Sequence, residues 1–168
     1  IGNDGQWELF ATSAQPKEPY PESLVWFAVP ENPRQAGRWK LNVFADKDAP
    51  GLTHYIGVGD INGDGLLDAA TGAKGGPRSV ARGEWFAWWE SPLDPTGPWV
   101  KHSVSDKEPG ATNIHPVDVN GDGVMDLVAS RGHGVGVIWF EGPDWKVHDI
   151  DSVIQEPHCL VAVDMDGD

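Results

Sequence analysis

Two short stretches of the chain place acidic and amide residues at alternate positions around glycines. They are residues 60–68 (DINGDGLLD) and 118–126 (DVNGDGVMD), and a third stretch begins at 164 with DMDGD. Ca²⁺ takes about six to eight hard oxygen ligands at flexible geometry, and carboxylates at alternate positions of a tight turn supply them. Gly65 and Gly123 allow the backbone turn that brings the last aspartate round to the ion. The spacing therefore predicts calcium loops.

The predicted ligands are the side chains at loop positions one, three, five and nine and the backbone carbonyl at position seven. In the two complete loops they are Asp60, Asn62, Asp64, Leu66 and Asp68, and Asp118, Asn120, Asp122, Val124 and Asp126. In the incomplete third loop they are Asp164, Asp166 and Asp168. A degenerate copy at residues 1–8 lacks its first aspartate and places Asp4 and Glu8 on Asp64 and Asp68.

An EF-hand shares the opening of this loop, but two features argue against one. The bidentate glutamate of an EF-hand would stand at the twelfth position, where this chain has Thr71 and Ala129. The flanking residues alternate with a period of two, which is typical of strands, whereas an EF-hand needs helices. Solvated acidic turns without a metal are the remaining alternative to calcium.

Histidines form the second group of residues that could do chemistry. His54 and His158 each stand six residues before the first aspartate of a loop, where the middle repeat has Thr112, followed by His115. His133 lies in the connection SRGHG (130–134) beside Arg131. A strand that ends at a calcium loop begins at the opposite face, so we expect all four of these histidines at that face. We expect His115, His133 and His158 to form a site there with Arg131.

Converging imidazoles suit a second divalent metal, zinc or magnesium, or acid–base chemistry near neutral pH. The alternative for each histidine is a packed or surface residue, which is what we expect of His102 and His148 on outer strands. Glu156 could orient His158 or act as a carboxylate ligand. The connection 73–83 adds Lys74, Arg78 and Arg82 to the same face, where positive charge would attract an anionic or enolate-like ligand.

The loops and the residues between them repeat, and this repeat predicts the elements that position both sites. Equivalent loops lie about 46–60 residues apart, which is the length of a four-stranded propeller blade. Each unit shows an alternating strand before the loop, a strand after it, an aromatic strand and a strand opened by tryptophan. These segments recur as YIGVG, DAATGA, WFAWW and WVKHSV, then as HPVDV, DLVAS, GVIWF and WKVHDI.

We therefore predict an all-β chain of about three propeller blades. The repeats are 1–59, 60–117 and 118–163, with a further blade starting at 164–168. Closed propellers have roughly four to eight blades, so we expect a fragment of a larger propeller, about seven-bladed, whose remaining blades belong to the same chain. Repeat-equivalent tryptophans (Trp26, Trp88, Trp139, Trp39, Trp99 and Trp145) are expected to pack between blades, and Trp7, Trp85 and Trp89 to be free of this packing.

Composition limits the partners. The formal charge of −14, from 26 acidic and 12 basic residues, argues against nucleic acid and favours cations. No apolar run approaches a membrane span, and the first residues do not form a signal peptide. Cys159 is the only cysteine, so no internal disulfide is possible, and we expect it to be buried in a strand.

The loops with their following strands, GDINGDGLLDAATGA and VDVNGDGVMDLVAS, resemble the FG-GAP or VCBS type of β-propeller repeat. The resemblance implies four-stranded blades, one calcium ion per loop and an extracellular or periplasmic location. It leaves the activity open, because such propellers serve as adhesive, ligand-binding and catalytic modules. One hypothesis is therefore a calcium-stabilised binding or scaffold module, which could be directed at carbohydrate.

The second hypothesis is an enzyme. The segments ATNIHPVDVNGDG, ASRGHGVGVIWFE and EPHCLVAVDMDGD are similar to the propeller part of aldos-2-ulose dehydratase-like proteins. That resemblance implies a metal-dependent lyase that eliminates water from sugar-derived ketones. His115, His133 and His158 would then be metal ligands or proton-transfer groups, and Arg131 would stabilise an enolate oxygen.

Overall fold

The structure is a computed structural model that describes residues 5–13, 17–75 and 83–165. These residues form eleven strands and a single 3₁₀ turn, Ala36–Arg38. The strands are β1 (Glu8–Ser13), β2 (Ser23–Ala28), β3 (Lys40–Ala45), β4 (Leu52–Gly59), β5 (Asp68–Lys74), β6 (Trp85–Glu90), β7 (Val100–Ser105), β8 (Asn113–Val117), β9 (Asp126–Ser130), β10 (Val135–Glu141) and β11 (Lys146–Gln155). No helix in these ranges is long and apolar enough to cross a membrane.

The strands form three antiparallel sheets, each made of neighbours along the chain. The first sheet has the order β1-β2-β3, the second β4-β5-β6-β7 and the third β8-β9-β10-β11. The four-strand pattern of the two complete repeats is therefore confirmed, and the chain is all-β. Each four-stranded sheet begins one strand before its acidic loop, so the sheets are offset by one strand from repeats counted at the loop.

The first strands of the second and third sheets pack closely through glycine. A Cβ atom on Gly57 of β4 would lie 2.2 Å from the Ile114 carbonyl oxygen of β8, which is far inside van der Waals contact. Nearer the start of β4, the backbone N–H of Tyr55 donates to the Thr112 carbonyl at 3.4 Å. This contact fixes the start of β4 relative to the residues that precede β8.

Two apolar cores lie between the sheets. One, between the first and second sheets, includes Trp26, Phe44, Trp89 and Trp99. The other, between the second and third, includes Phe86, Trp88, Leu127 and Phe140. Burial of these side chains is the main favourable term in holding neighbouring sheets together.

The predicted division of the tryptophans is partly wrong. Among the repeat-equivalent residues, Trp26, Trp88 and Trp99 are buried and Trp39, Trp139 and Trp145 are half-buried. Trp85 and Trp89 are also buried, because their strand packs between two sheets and has no solvent-facing side. Trp7, in contrast, is 82% exposed.

Cys159 also differs from its prediction. It is exposed and lies in residues 156–165, which follow β11 and form no strand.

Candidate metal centre

Three histidines from distant parts of the chain meet at one point. His54 lies on β4, His133 in the turn between β9 and β10, and His158 in the segment after β11. One potential ligand atom of each lies within 4.8 Å of the others. Within the described ranges, this is the only such group of three or more His, Cys, Asp or Glu side chains.

The converging atoms are the Nε2 atoms of the three rings. His133 Nε2 lies 3.0 Å from His158 Nε2 and 3.3 Å from His54 Nε2. A tetrahedral zinc ion with bonds of about 2.0–2.1 Å holds its ligand nitrogens about 3.3–3.4 Å apart. The separation of His133 from His54 therefore matches that of two ligands on one ion, and the separation of His133 from His158 is about 0.3–0.4 Å shorter.

The protonation of His54 is fixed by its backbone partner. Its Nδ1 lies 3.1 Å from the Leu52 carbonyl oxygen, which can only accept, so Nδ1 must carry the proton. The neutral ring then presents the Nε2 lone pair to the cluster. His158 Nδ1 lies 3.3 Å from the Tyr55 hydroxyl, the kind of outer partner that orients a metal-binding imidazole.

The turn that holds His133 is positioned by a buried threonine. The Thr112 hydroxyl donates to the Ser130 carbonyl at 3.0 Å and accepts from the Gly132 N–H at 2.9 Å. The His133 N–H donates to the Gly110 carbonyl at 3.2 Å. Thr112 occupies the repeat position that holds histidine in the other two copies, and here it supports the His133 turn instead.

Glycine at 132 allows two of the histidine-bearing segments to approach each other. A Cβ atom there would lie 2.5 Å from the Thr112 hydroxyl and 2.8 Å from the His158 Cα atom. Both distances are shorter than real Cβ contacts, so any larger residue would push the His133 turn away from His158.

The surroundings of His54 and His133 favour the neutral form of their imidazoles. Burial lowers the pKa of His54, with smaller contributions from His158 and Lys74, and the Leu52 carbonyl opposes them. Burial also lowers the pKa of His133, helped by Lys74, His158 and His54 and opposed by Glu156. Neutral imidazole is the form that binds a metal, because a proton on the ligand nitrogen blocks its lone pair.

The structure therefore brings together two of the three predicted histidines. His133 and His158 belong to the cluster, and His54 takes the third position. His115 lies outside it, and its Nε2 is 2.8 Å from the Leu160 carbonyl oxygen, to which it donates. The repeat did contain a signal for His54, because it shares its position before the loop with His158.

Arg131 is engaged with an acidic partner. Its Nε and Nη2 atoms donate to the same oxygen of Glu108 at 2.9 and 2.7 Å, and the Glu108 side chain is buried. This pair anchors the start of the His133 turn to the residues before β8. Arg78 and Arg82 lie outside the described residues.

The two complete acidic loops have the same hydrogen-bond pattern. Asp60 accepts from the backbone N–H groups of Gly63, Asp64 and Gly65, and Asp118 repeats these three bonds with the residues of its own loop. Gly65 and Gly123 have φ of 87° and 83°, which confirms the turn expected of glycine there. The loops are thus closed by their own amides around the first aspartate.

The last aspartate of each complete loop is fully buried and bonded to backbone on both oxygens. Asp68 accepts from Ile61 at 3.0 Å and Ser91 at 2.9 Å. Asp126 accepts from Val119 at 3.0 Å and Gly142 at 2.8 Å. Burial raises the pKa of Asp68, although these N–H groups oppose the shift. Each aspartate ties its loop to the next turn of its sheet, a structural role beside the predicted ligand role.

The incomplete third loop is described only in part. Asp164 lies in the described range and is exposed, whereas Asp166 and Asp168 lie outside it, as does Asp4 of the degenerate copy.

Comparison of the chain with family models, with curated proteins and with solved structures finds no match.

Proposed function

We propose that the chain is part of a calcium-stabilised β-propeller that holds a divalent transition metal at His54, His133 and His158. The metal would serve a carbon–oxygen lyase reaction on an oxygen-rich, sugar-derived substrate. The observation that supports this is the convergence of three Nε2 atoms, with two separations of 3.0 and 3.3 Å.

The number of protons available to the three Nε2 atoms favours a metal over a cluster held only by hydrogen bonds. His54 has its proton on Nδ1, so its Nε2 can only accept. If His133 donates from Nε2, it has no lone pair there for His158, and one proton must serve three converging nitrogens. A cation bonded to all three lone pairs satisfies every ring at once.

The ligand set favours zinc over magnesium or calcium. Imidazole nitrogen suits zinc and other transition metals, whereas magnesium and calcium prefer oxygen. Three protein ligands leave a fourth position for water or substrate, which is the pattern of catalytic zinc sites. When bound, such an ion supplies a Lewis acid that polarises an oxygen of the substrate.

The residues of the chain have separate parts in this proposal. His54, His133 and His158 hold the ion, Tyr55 orients His158, and the pair Arg131–Glu108 positions the His133 turn. In the lyase reaction, a C–H bond beside a carbonyl and a C–O bond at the next carbon break, a C=C bond forms, and water leaves. This reaction class comes from the sequence resemblance, and the metal geometry is compatible with it.

A propeller arrangement would place the metal centre near a central axis. The sheets are consecutive along the chain, and the close contact of β4 with β8 supports their assignment as neighbouring blades. The remaining blades would complete the channel wall. Calcium in the acidic loops would close the opposite face, and an extracellular or periplasmic location would supply that ion.

Zinc titration of the metal-free chain by calorimetry tests the proposal. We expect one tight site besides any at the acidic loops, lost in His54→Ala, His133→Ala and His158→Ala. Each loss should exceed the about 10- to 100-fold effect of removing an outer partner. His115→Ala and His102→Ala are matched controls and should bind zinc like the wild type. Equal binding by all five variants would contradict the proposal.

The second candidate is a binding or scaffold module without chemistry of its own. The identical hydrogen-bond pattern of the two acidic loops favours it, because calcium alone would then explain the most regular feature of the sequence. Incubation of the zinc-loaded chain with 3-hydroxy ketones distinguishes the two. Ultraviolet absorbance from a conjugated enone supports the lyase, and unchanged absorbance together with binding of a carbohydrate supports the module.

A further inference from the structure

We propose that the metal centre selects a carboxylate-bearing ligand and that Lys74 is the counter-ion for its negative charge. This rests on the proposed function, since the metal provides the other half of the binding site. The ligand class is a small hydroxy or oxo acid that chelates the ion through two adjacent oxygens, which narrows the proposed sugar-derived substrate to one that carries a carboxylate.

The backbone holds Lys74 beside the cluster. Lys74 is the last residue of β5 and pairs directly with Leu52 of β4, whose carbonyl fixes the His54 ring. Its own carbonyl packs against Gly83, where a Cβ atom would lie 2.0 Å from that oxygen. The strand end that bears Lys74 is therefore fixed on both sides, and its side chain is half-buried.

Among the described residues, no acidic side chain neutralises the Lys74 ammonium group, so it can interact with a bound ligand. No described residue forms an ion pair with Lys74, whereas the charge of Arg131 is used by Glu108 at 2.7 Å. The Lys74 ammonium contributes to the lowered pKa of both His54 and His133, so it lies within electrostatic reach of both rings, and Glu156 opposes the shift of His133 more weakly.

The chemistry of the ligand set points the same way. Three neutral imidazoles donate electron pairs but no negative charge, so the full charge of a divalent ion remains to be compensated. A carboxylate compensates part of it and gains further from an ammonium nearby, because opposite charges attract strongly at short range. A neutral polyol of the same size gains neither.

A cobalt-substituted chain tests this directly, because the visible d–d bands of Co²⁺ change when an external ligand binds. The metal-loaded wild type is titrated with lactate and, separately, with propane-1,2-diol, which replaces the carboxylate by a neutral alcohol. The variants are Lys74→Gln, Lys74→Arg and the control Lys146→Gln, which removes a lysine whose side chain is 71% exposed on β11.

We expect lactate to bind the wild type at least about tenfold more tightly than the diol. Lys74→Gln should weaken lactate about tenfold without changing the diol, Lys74→Arg should retain most of the affinity, and Lys146→Gln should match the wild type. Equal lactate affinity in Lys74→Gln and wild type, with normal cobalt bands in both, would overturn this inference and leave the metal centre standing. Absence of histidine-dependent cobalt bands in the wild type would overturn both.

Discussion

The location of single protons on the imidazole rings decides what the cluster can bind. The His54 proton is held on Nδ1 by the Leu52 carbonyl, which can only accept a hydrogen bond. The Nδ1 atom of His158 instead has the Tyr55 hydroxyl as its partner, at 3.3 Å. With a metal on Nε2, the His158 proton must be on Nδ1 and donates to that hydroxyl. Tyr55 thus favours the tautomer that the metal needs.

Removal of the hydroxyl should weaken metal binding without removing a ligand. We expect Tyr55→Phe to lower zinc affinity about tenfold, within the range for loss of an outer partner. Tyr20→Phe, which changes the other tyrosine of the chain far from the cluster in sequence, is the matched control. Competition with a coloured chelator measures both, and equal affinity would show that Tyr55 does not orient His158.

The lowered pKa values of His54 and His133 predict a specific pH response. In the metal-free chain, the unfolded state binds protons at pH values where the folded rings are still neutral. Stability from this source is therefore present above the ordinary pKa of about 6.5 and is lost as pH falls toward the folded pKa. Ring C2–H resonances followed by NMR should give midpoints below the ordinary value for both residues, and midpoints at or above it would contradict the account.

The sequence predicted that histidines would converge, but it named only two of the three residues that do. Histidine before a loop is a repeat-level signal, and it applied equally to His54 and His158. The middle repeat has Thr112 at that position, and His115 was predicted in its place. His115 lies three residues farther along the chain, where its ring donates to the Leu160 carbonyl. That contact depends on how residues 156–165 pass β8, which no local pattern encodes.

At the scale of elements, the sequence predicted the strands of both complete repeats but not the conformation of the segment that follows them. Alternation and aromatic clusters predicted the four strands of both complete repeats, because each strand must bury one or both faces against a neighbouring sheet. Residues 159–163 hold the position of a first strand, yet they form none. A first strand is hydrogen-bonded to the second strand of its own sheet, and the described residues contain no such partner for this segment.

The His133 turn offers a sharp test at this scale. Gly132→Ala would place a methyl group 2.8 Å from the His158 Cα atom, so the two ligand segments must separate. We expect zinc affinity to fall at least about tenfold and the free energy of unfolding to fall by roughly 1–3 kcal/mol, as in other overpacked sites.

Gly37→Ala is the control for that change. Gly37 has open space around its Cβ position and lies in the first sheet's loop, so zinc affinity should not change. Calorimetric titration and urea unfolding measure both variants, and unchanged zinc binding by Gly132→Ala would mean that the two segments need not touch.

The whole molecule combines a strongly acidic surface with loops that concentrate carboxylates. The clustered charge is unfavourable unless cations are shared, which is why calcium remains part of the proposal. Composition could predict this need, but the arrangement of the three sheets could not be derived from it. Sheet-to-sheet contacts such as Gly57 against Ile114 depend on backbone approach, to which a sequence gives only the glycine as a hint.

Calcium should therefore stabilise the fold. After removal of all divalent ions, addition of calcium at about 100 times its dissociation constant should add about 2.7 kcal/mol per site. This corresponds to a rise in Tm of roughly 5–10 °C per site for a chain of this size. Magnesium at equal concentration and the variant Asp122→Ala are the controls, and a melting curve unaffected by calcium would refute the loop assignment.

The central claim is that three imidazoles hold one transition metal ion. X-ray absorption at the zinc edge tests it most directly, using the chain loaded with one equivalent of zinc and the variant His54→Ala. The account predicts three nitrogen neighbours at about 2.0–2.1 Å in the wild type, with the multiple-scattering signature of imidazole, and fewer in the variant. A zinc ion surrounded only by oxygen, with the same spectrum in both proteins, would contradict it.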